Sequence, residues 1–395
     1  MKIMRGYKTE LDPTGEHYVL LCQCAGIARY AYNYGLARKE EAYKNGEKYS
    51  YANDLQRELT ARKHDDLPWL DAVSKWIVQN ALRDLDVAFD NFFKKCKLKA
   101  QGKHHGTCGY PKFKRKHNGR GSFRLDCPVH VFDGCVQLPK LGKIRLKEHG
   151  YIPTWGVKVL SATVSEKAGR WFVSVQVEEE HAESLPATGT PIGIDVGIKT
   201  LATLSTGETF DNPKALRSRL KALKRASRQH SRKKRGSNNR KKAQRKLATL
   251  HMRIATIRKD ALHKVTSQIV AKTKPHDERP SVIVLEDLNV KGMLKNRKLA
   301  RAISDVGLGE FKRQVTYKAA YAGIEVKQVS RWYASSQYCH CCGWKHEELT
   351  LADRVFVCQD CGNVCDRDYN AAVNLASKAE HGLQYRELHG ISSLT

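Results

Sequence analysis

Acidic residues are scarce in this chain and long apolar runs are missing. Asp and Glu number 41 against 70 Lys and Arg, which leaves a formal charge of +29 over 395 residues. An excess of that size excludes a self-neutralised surface and needs a polyanion to explain it. No run of 18 apolar residues occurs, which excludes an apolar membrane-spanning helix. Met1-Lys2-Ile3-Met4-Arg5-Gly6 meets charge at once, without the apolar core of a signal peptide. A soluble, intracellular protein with no membrane partner is therefore expected. At 41% hydrophobic residues, including 6 Trp, 16 Tyr and 10 Phe, the chain is too apolar for wholesale disorder and long enough for two or three domains. Disulfides are a poor use of its 12 cysteines in a reducing cytosol, and six of them crowd between residues 339 and 365, which points to a metal.

The positive charge is concentrated. Between Pro213 and Asp260 there are 19 Lys and Arg and a single acidic residue. Leu216, Leu220 and Leu223 form one apolar stripe at helical spacing, and Leu247, Leu250, Ile254 and Ile257 another, with a turn at Gly236-Ser237-Asn238-Asn239. The pattern predicts a helical hairpin with packed inner faces and basic outer faces. A charge run is ordinarily a solvated face, but here the balancing Glu residues are missing, and like charges at i,i+4 destabilise an isolated helix. A phosphate backbone would relieve that repulsion. Arg232, Lys233, Lys234 and Arg235 at the turn, with Lys241 and Lys242 beyond it, are the expected contacts.

In the first half, the segment around Ile3-Met4-Arg5-Gly6-Tyr7-Lys8 predicts a short strand. Helical patterns follow from Cys24, with Ile27, Tyr30, Ala31 and Tyr34 on one face, and from Trp69 to Cys96; their apolar faces are expected to pack on each other. After Gly106 the composition turns to Gly, Pro and strand formers. Trp171, Val173, Val175 and Val177 alternate with Phe172, Ser174, Gln176 and Glu178, and Val136–Leu138 and Lys143–Leu146 are shorter strand candidates. The reading is a helical insertion inside a small antiparallel β domain, ending at a polar linker from Glu178 to Thr190.

Three carboxylates stand out beyond that linker. Asp195 interrupts the short apolar strand Ile192–Lys199, Glu286 ends the apolar run Val282-Ile283-Val284-Leu285, and Asp368 sits in an Ala-rich helix start that Asp366 is placed to cap. Taken singly, each has a plainer use as a cap or an ion-pair partner. If they converge they repel, by roughly 4 kcal/mol for two charges 4 Å apart at an effective dielectric of 20, and divalent cations remove that penalty. Hard oxygen ligands suit Mg²⁺ or Mn²⁺, and two such ions can drive in-line phosphodiester displacement. Asn370 and Asn374 share one face of the helix and are expected to orient metal ligands or the scissile strand.

Cys339-x2-Cys342, fifteen intervening residues, and Cys358-x2-Cys361 match zinc-ribbon spacing, with Gly343 and Gly362 after each knuckle. A redox CxxC comes singly rather than as two matched knuckles. Cys341 and Cys365 are extra and leave the ligand set open; Cys22, Cys24, Cys96, Cys108, Cys127 and Cys135 have no metal-like spacing and read as core or free thiols.

The order GIDVGIKTLATLS (193–205), VIVLEDLNVKGM (282–293), SSQYCHCCG (335–343), FVCQDCG (356–362) and DRDYNAAVN (366–374) closely resembles TnpB, also called OrfB, the transposon-encoded RNA-guided DNA endonucleases related to type V CRISPR effectors. GYPKFKRK (109–116) and the Ala25–Tyr34 helix resemble that family's N-terminal half, so the likeness covers nearly the whole chain. It implies a multidomain α/β protein. A wedge β-barrel (1–12 and 106–183) would hold a helical recognition insertion (13–105). An RNase H-like, RuvC nuclease domain (190–334 and 366–380) would carry the basic hairpin 213–260, a zinc ribbon (335–365) and a flexible tail (381–395). It also implies that Asp195, Glu286 and Asp368 hold two Mg²⁺ or Mn²⁺ ions and that Cys339, Cys342, Cys358 and Cys361 hold one structural Zn²⁺. Lys112, Lys114, Arg115 and Lys116 become nucleic-acid contacts. The partners implied are a transposon-derived guide RNA and double-stranded target DNA with a short adjacent motif, in the prokaryotic cytosol and at the nucleoid when bound to target. A guide-free transposase and a nuclease-inactive RNA-guided DNA-binding protein are the alternatives, with a ribosome-associated zinc-ribbon protein as a third.

Overall fold

The structure is a computed structural model that describes residues 2–379, apart from 64, 117–120, 127, 181–183, 272–274, 276 and 351. The tail expected at 381–395 and Cys127, expected as a core or free thiol, lie outside the described residues. The chain divides into two compact units, Met1–Ala182 and Glu183–Thr395.

The first unit opens with strand β1 (Lys2–Asp12), followed by helices α1 (Gly15–Lys44), α2 (Ala52–Arg62) and α3 (Lys75–Ala100). Six further strands complete it: β2 (Ser122–Asp126), β3 (His130–Phe132), β4 (Cys135–Leu138), β5 (Gly142–Leu146), β6 (Val157–Lys167) and β7 (Arg170–Glu180). They form one seven-stranded sheet in the order β2-β6-β7-β1-β5-β4-β3. Strand β1 is longer than its sequence suggests because it serves two partners, pairing antiparallel with β7 from Lys2 to Glu10 and with β5 at Leu11 and Asp12. In β7 the alternation places Trp171, Val173, Val175 and Val177 inside at 2% exposure or less, which sets the register.

Helix α1 begins nine residues before Cys24, where Thr14 accepts from the His17 N–H as N-cap. The stretch from Trp69 is not one helix. Pro68–Ala72 is a 3-10 turn, Val73 is extended, and α3 starts only after Ser74. Helices α1 and α3 do pack on each other; Gly35 allows it, since a Cβ there would lie 2.8 Å from Leu82 and 2.9 Å from Leu85. Helix α2 was not marked by sequence, because only Ala52, Leu55 and Leu59 bury in it.

The second unit begins with β8 (Ile192–Val196), β9 (Thr200–Leu204) and β10 (Thr209–Asp211), then the hairpin α4 (Ala215–Ser231) and α5 (Asn238–Val270). After β11 (Val282–Glu286) come α6 (Val290–Met293), α7 (Ala300–Val306), α8 (Leu308–Tyr321) and β12 (Glu325–Val329). The small hairpin β13 (Val355–Val357) and β14 (Val364–Asp366) leads into α9 (Arg367–Ala376). The main sheet runs β10-β9-β8-β11-β12, antiparallel across β10, β9 and β8 and parallel across β8, β11 and β12. Its two faces differ. Ile192, Ile194, Ile283 and Leu285 join the core built with α5 and α8, whereas Val284 and Val329 pack against Leu375 of α9.

The expected hairpin is present, and α5 extends ten residues past Asp260. The reason is apolar: Leu262, Ile269 and Val270 bury against the sheet core at 3% exposure or less. The stripes Leu216, Leu220, Leu223 and Leu247, Leu250, Ile254, Ile257 lie at least partly buried. The start of α4 is capped from outside, with Asp305 of α7 accepting from Leu216 N at 2.9 Å and Arg217 N at 3.1 Å while pairing with Arg258 at 3.1 Å.

Candidate active site and metal centre

Strand alternation sends Gly193 and Asp195 to the face opposite Ile192 and Ile194, toward α9. Because Ile194 pairs with Leu285 in parallel register, the next residues, Asp195 and Glu286, lie side by side on adjacent strands. Asp368 comes from above. It shares a helix face with Ala372, four residues on, and Ala372 lies over Gly193. The three acids named from sequence are thus brought together on one face of the sheet.

Gly193 makes this possible. A Cβ there would lie 2.0 Å from the Ala372 carbonyl oxygen and 2.4 Å from the Ala376 nitrogen. Both are backbone atoms of α9 and cannot turn aside, so Gly193→Ala must push the helix off the strand. We expect a loss of about 2–4 kcal/mol of stability and a roughly 100-fold fall in any reaction that uses Asp368. Calorimetry and rate measurement on the same variant check both. The sequence signal was available, since a lone Gly inside a strand marks close backbone approach.

Burial and mutual repulsion set the electrostatics of the cluster. Burial, then the charges of Glu286 and Asp368, push the Asp195 carboxyl up to about 8, against an opposing pull from Arg367. Burial also raises Glu286, which the Ser335 hydroxyl, donating to its Oε1, partly offsets. Asp368 accepts from Arg367 Nη2 at 3.0 Å and lies 3.8 Å from Arg354. Asp287, beside Glu286, is held below the usual carboxylate range by Arg331 and is paired with Lys312 as well. Half-buried oxygen donors gathered on one sheet face, with Asp195 kept from ionising by burial and its neighbours, fit hard divalent ions such as Mg²⁺ or Mn²⁺.

Asp366 accepts from the backbone N–H of Asp368 and Tyr369 and so caps α9, as its position suggests. Asn370 and Asn374 do not face the acids. Asn370 accepts from His340 N at 3.0 Å and donates to Tyr338 O at 2.7 Å, and Asn374 donates to Ser335 O and Tyr338 O at 2.8 and 2.6 Å. They fasten the segment before the first CxxC to α9. The expectation that they orient metal ligands or the scissile strand directly is corrected accordingly: both side chains are buried and their amides are spent on that backbone, so they reach Glu286 only through Ser335.

That segment leads to four cysteines. The Sγ atoms of Cys339, Cys342, Cys358 and Cys361 all lie within 4.8 Å of one another, with 3.7 Å from Cys339 to Cys361 and 3.5 Å from Cys342 to Cys358. A tetrahedral Zn–S distance near 2.3 Å requires sulfur separations of about 3.8 Å. The two knuckles match. Gly343 N donates to Cys339 O and Gly362 N to Cys358 O, and both glycines take positive φ, +80° and +72°. Burial opposes ionisation of Cys339, but the N–H groups of Cys342 and Cys341 draw its thiol down to about 6. Cys341 and Cys365 approach His340 instead, at 3.4 and 3.9 Å, and stand outside the set of four.

Among the basic candidates, Arg232, Lys233, Lys234, Arg235, Lys241 and Lys242 are all exposed at and beyond the hairpin turn. Lys112 and Arg115 line a cleft of about 660 Å³ in the first unit, and Lys116 is exposed. Lys114 differs. Asn33 grips its backbone on both sides, at 2.9 and 2.7 Å, and its Nζ lies 3.8 Å from the centre of the Tyr32 ring. Burial pulls that ammonium below the usual lysine range, with Asp84 opposing.

The chain matches three family models, described as a probable transposase over residues 172–297, a Cas12f1-like TNB domain over 309–375 and a helix-turn-helix domain over 1–48. The last segment is built here from β1 and α1. A protein of Streptomyces pristinaespiralis named "Putative RNA-guided DNA endonuclease" is 37% identical over 378 residues, covering 95% of this chain and 89% of its own. The chain belongs to the TnpB (OrfB) family. A protein of Escherichia coli K12 named "Putative RNA-guided DNA endonuclease InsQ" is 33% identical over 393 residues, covering 95% of this chain and 92% of its own. The mixed α/β fold also matches the Cas12f1 chain solved by cryo-electron microscopy with sgRNA and target DNA, at a TM-score of 0.52 and 14% identity over 95% of this chain and 99% of that one. Among the described residues, no helix is long and apolar enough to cross a membrane.

Proposed function

We propose that this TnpB-family chain is an RNA-guided DNA endonuclease whose cutting site is Asp195, Glu286 and Asp368. The observation that carries the reading is the convergence of three half-buried carboxylates on one sheet face, with Asp195 raised to about 8 by burial and by the other two. The sheet order β10-β9-β8-β11-β12, three strands antiparallel and then two parallel, supports an RNase H-like, RuvC nuclease domain interrupted by the ribbon. The chemistry that two bound Mg²⁺ or Mn²⁺ ions supply is activation of a water and stabilisation of the leaving 3′-oxygen in an in-line displacement. The chain's own part is positional. Strand register holds Asp195 beside Glu286, Ser335 fixes the Glu286 carboxylate, the Gly193 contact seats α9, and the Asp366 cap orients the turn that presents Asp368. The four cysteines fit one structural Zn²⁺ that braces the segment from Ser335 to Asp366.

A guide RNA of transposon origin would leave sequence recognition to base pairing, and the protein would bind backbones and shape. We assign the first unit, β1 with helices α1–α3 and β2–β7, to the wedge and recognition roles, including reading of a short duplex motif beside the target. The basic hairpin is fastened to the nuclease unit through Asp305, so its exposed faces are assigned to a nucleic-acid backbone there. Charge reversal of Arg232, Lys233, Lys234 and Arg235 to Glu is expected to weaken binding about equally for every guide and target, because phosphate contacts carry no sequence information. The salt slope should flatten by roughly 0.9 per lost duplex phosphate contact, or about 0.7 for a single strand. Unchanged affinity and slope would mean a solvated face. The reading as a whole is tested by sequencing RNA that co-purifies with the protein and by Mg²⁺-dependent cutting of matched DNA. Cutting with no bound RNA would favour a guide-free transposase.

A further inference from the structure

Residues 330–335, directly after β12, form a short loop fastened at both ends to the strand end that carries Glu286. Arg331 donates to Asp287 Oδ2, Ser335 donates to Glu286 Oε1, and Asp287 N donates to Val329 O at 3.0 Å. Inside the loop, Tyr333 N donates to Ser330 O and Ser335 N to Tyr333 O, each at 3.0 Å. Tyr333 turns inward, packing on the Val284, Val329 and Leu375 cluster and stacking on Tyr338 with centroids 5.7 Å apart and planes 9° from parallel. Trp332, one residue earlier, is 88% exposed.

A single exposed apolar side chain is ordinary on a protein surface. What sets Trp332 apart is its mounting. An indole on a mobile loop would lose much of any stacking energy to ordering, whereas this loop is already held by its hydrogen bonds and by the buried Tyr333. Along the chain it lies between Arg331, whose guanidinium is on Asp287, and Ser335, whose hydroxyl is on Glu286. A strand whose phosphate enters the acid cluster, once separated from its complement, brings unstacked bases to the same place, and every base has a face that stacks on an aromatic ring. We propose that Trp332 is a stacking platform for an unpaired nucleobase beside the scissile phosphate, accepting any base and reading none. The platform rests on the endonuclease reading given above.

In the complete protein–guide complex, Trp332→Ala should slow single-turnover cutting roughly 10- to 100-fold, the equivalent of about 1–3 kcal/mol of stacking, and Trp332→Phe should keep most of the rate. An abasic nucleotide at the stacked position should slow the wild type by the same factor and have no further effect on Trp332→Ala. A second measurement needs no cutting. In an Asp195→Ala background, 2-aminopurine placed in turn along each target strand should be quenched at one position when Trp332 is present and remain bright in the double variant. Equal rates for wild type and Trp332→Ala, losses that multiply, or quenching indifferent to Trp332 would each overturn the platform. Wild-type complex that binds matched DNA without cutting it would overturn the endonuclease reading, while the quenching measurement still decides the platform.

Discussion

Asp195→Ala, Glu286→Ala and Asp368→Ala are each expected to lower Mg²⁺-dependent cutting by roughly 10³-fold or more, several kcal/mol of lost transition-state stabilisation, while binding of guide and target stays largely intact. Asp195 and Glu286 face α9 from the sheet and Asp368 stands on α9 itself, apart from the basic hairpin, so their loss removes ligands without removing backbone contacts. Asp366→Ala should act differently, since its carboxylate caps α9: a loss of about 1 kcal/mol in stability and a partial loss of rate. A dead Asp366→Ala protein beside an active Asp368→Ala protein would reverse the assignment of the third acid.

The same cluster predicts a gain in stability when it is dismantled. Between the ordinary carboxyl value of 3.8 and about 8, folded Asp195 keeps a proton that the unfolded chain has released. The folded state therefore binds more protons in that window, and stability falls as pH rises through it. Asp195→Asn should stabilise the metal-free protein at pH 8 by on the order of 2–4 kcal/mol and leave it unchanged near pH 4, as denaturant titration at the two pH values would show. Cation binding must expel that proton, so the Mg²⁺ concentration for half-maximal cutting should drop by up to about tenfold per pH unit until pH 8. A flat profile between pH 6 and 8 would mean that Asp195 is already ionised without the metal.

The second large effect concerns zinc. Elemental analysis is expected to find one zinc per chain, and Cys339→Ser or Cys358→Ser to lose it, because three thiolates forfeit much of a binding free energy of about 10–16 kcal/mol. The damage should spread beyond the ribbon. Asn370 and Asn374 tie residues Ser335 to His340 to α9, and Ser335 in turn holds Glu286, so a loosened ribbon misplaces two of the three acids. Cutting should fall about 10- to 100-fold, and limited proteolysis should nick the chain between residues 335 and 368. Zinc-free protein of full activity would show that the four thiols only pack together.

Much of this was legible in the sequence because its marks are local. The period-2 burial of β7, the paired CxxC knuckles with a glycine after each, and the acid-depleted hairpin with its two leucine stripes need only spacing and composition, and they lie where that spacing places them. Asp195 and Glu286 stand out because each interrupts or ends an apolar run, whereas Asp368 is preferred over Asp366 only through the family resemblance. The end of α5 could not, since its last ten residues are helical on account of a sheet they meet only in the folded unit. Nor could the roles of Asn370, Asn374 and Ser335. A buried amide or hydroxyl takes its meaning from its hydrogen-bond partner, and those partners lie about 30 to 50 positions away in the chain. The sequence by itself determined the donor types, the metal-like spacing and the sign of the charge. Only the tertiary structure decided that strand register and the close approach at Gly193 bring three mutually repelling carboxylates to one face, because convergence depends on contacts between elements that no local pattern encodes.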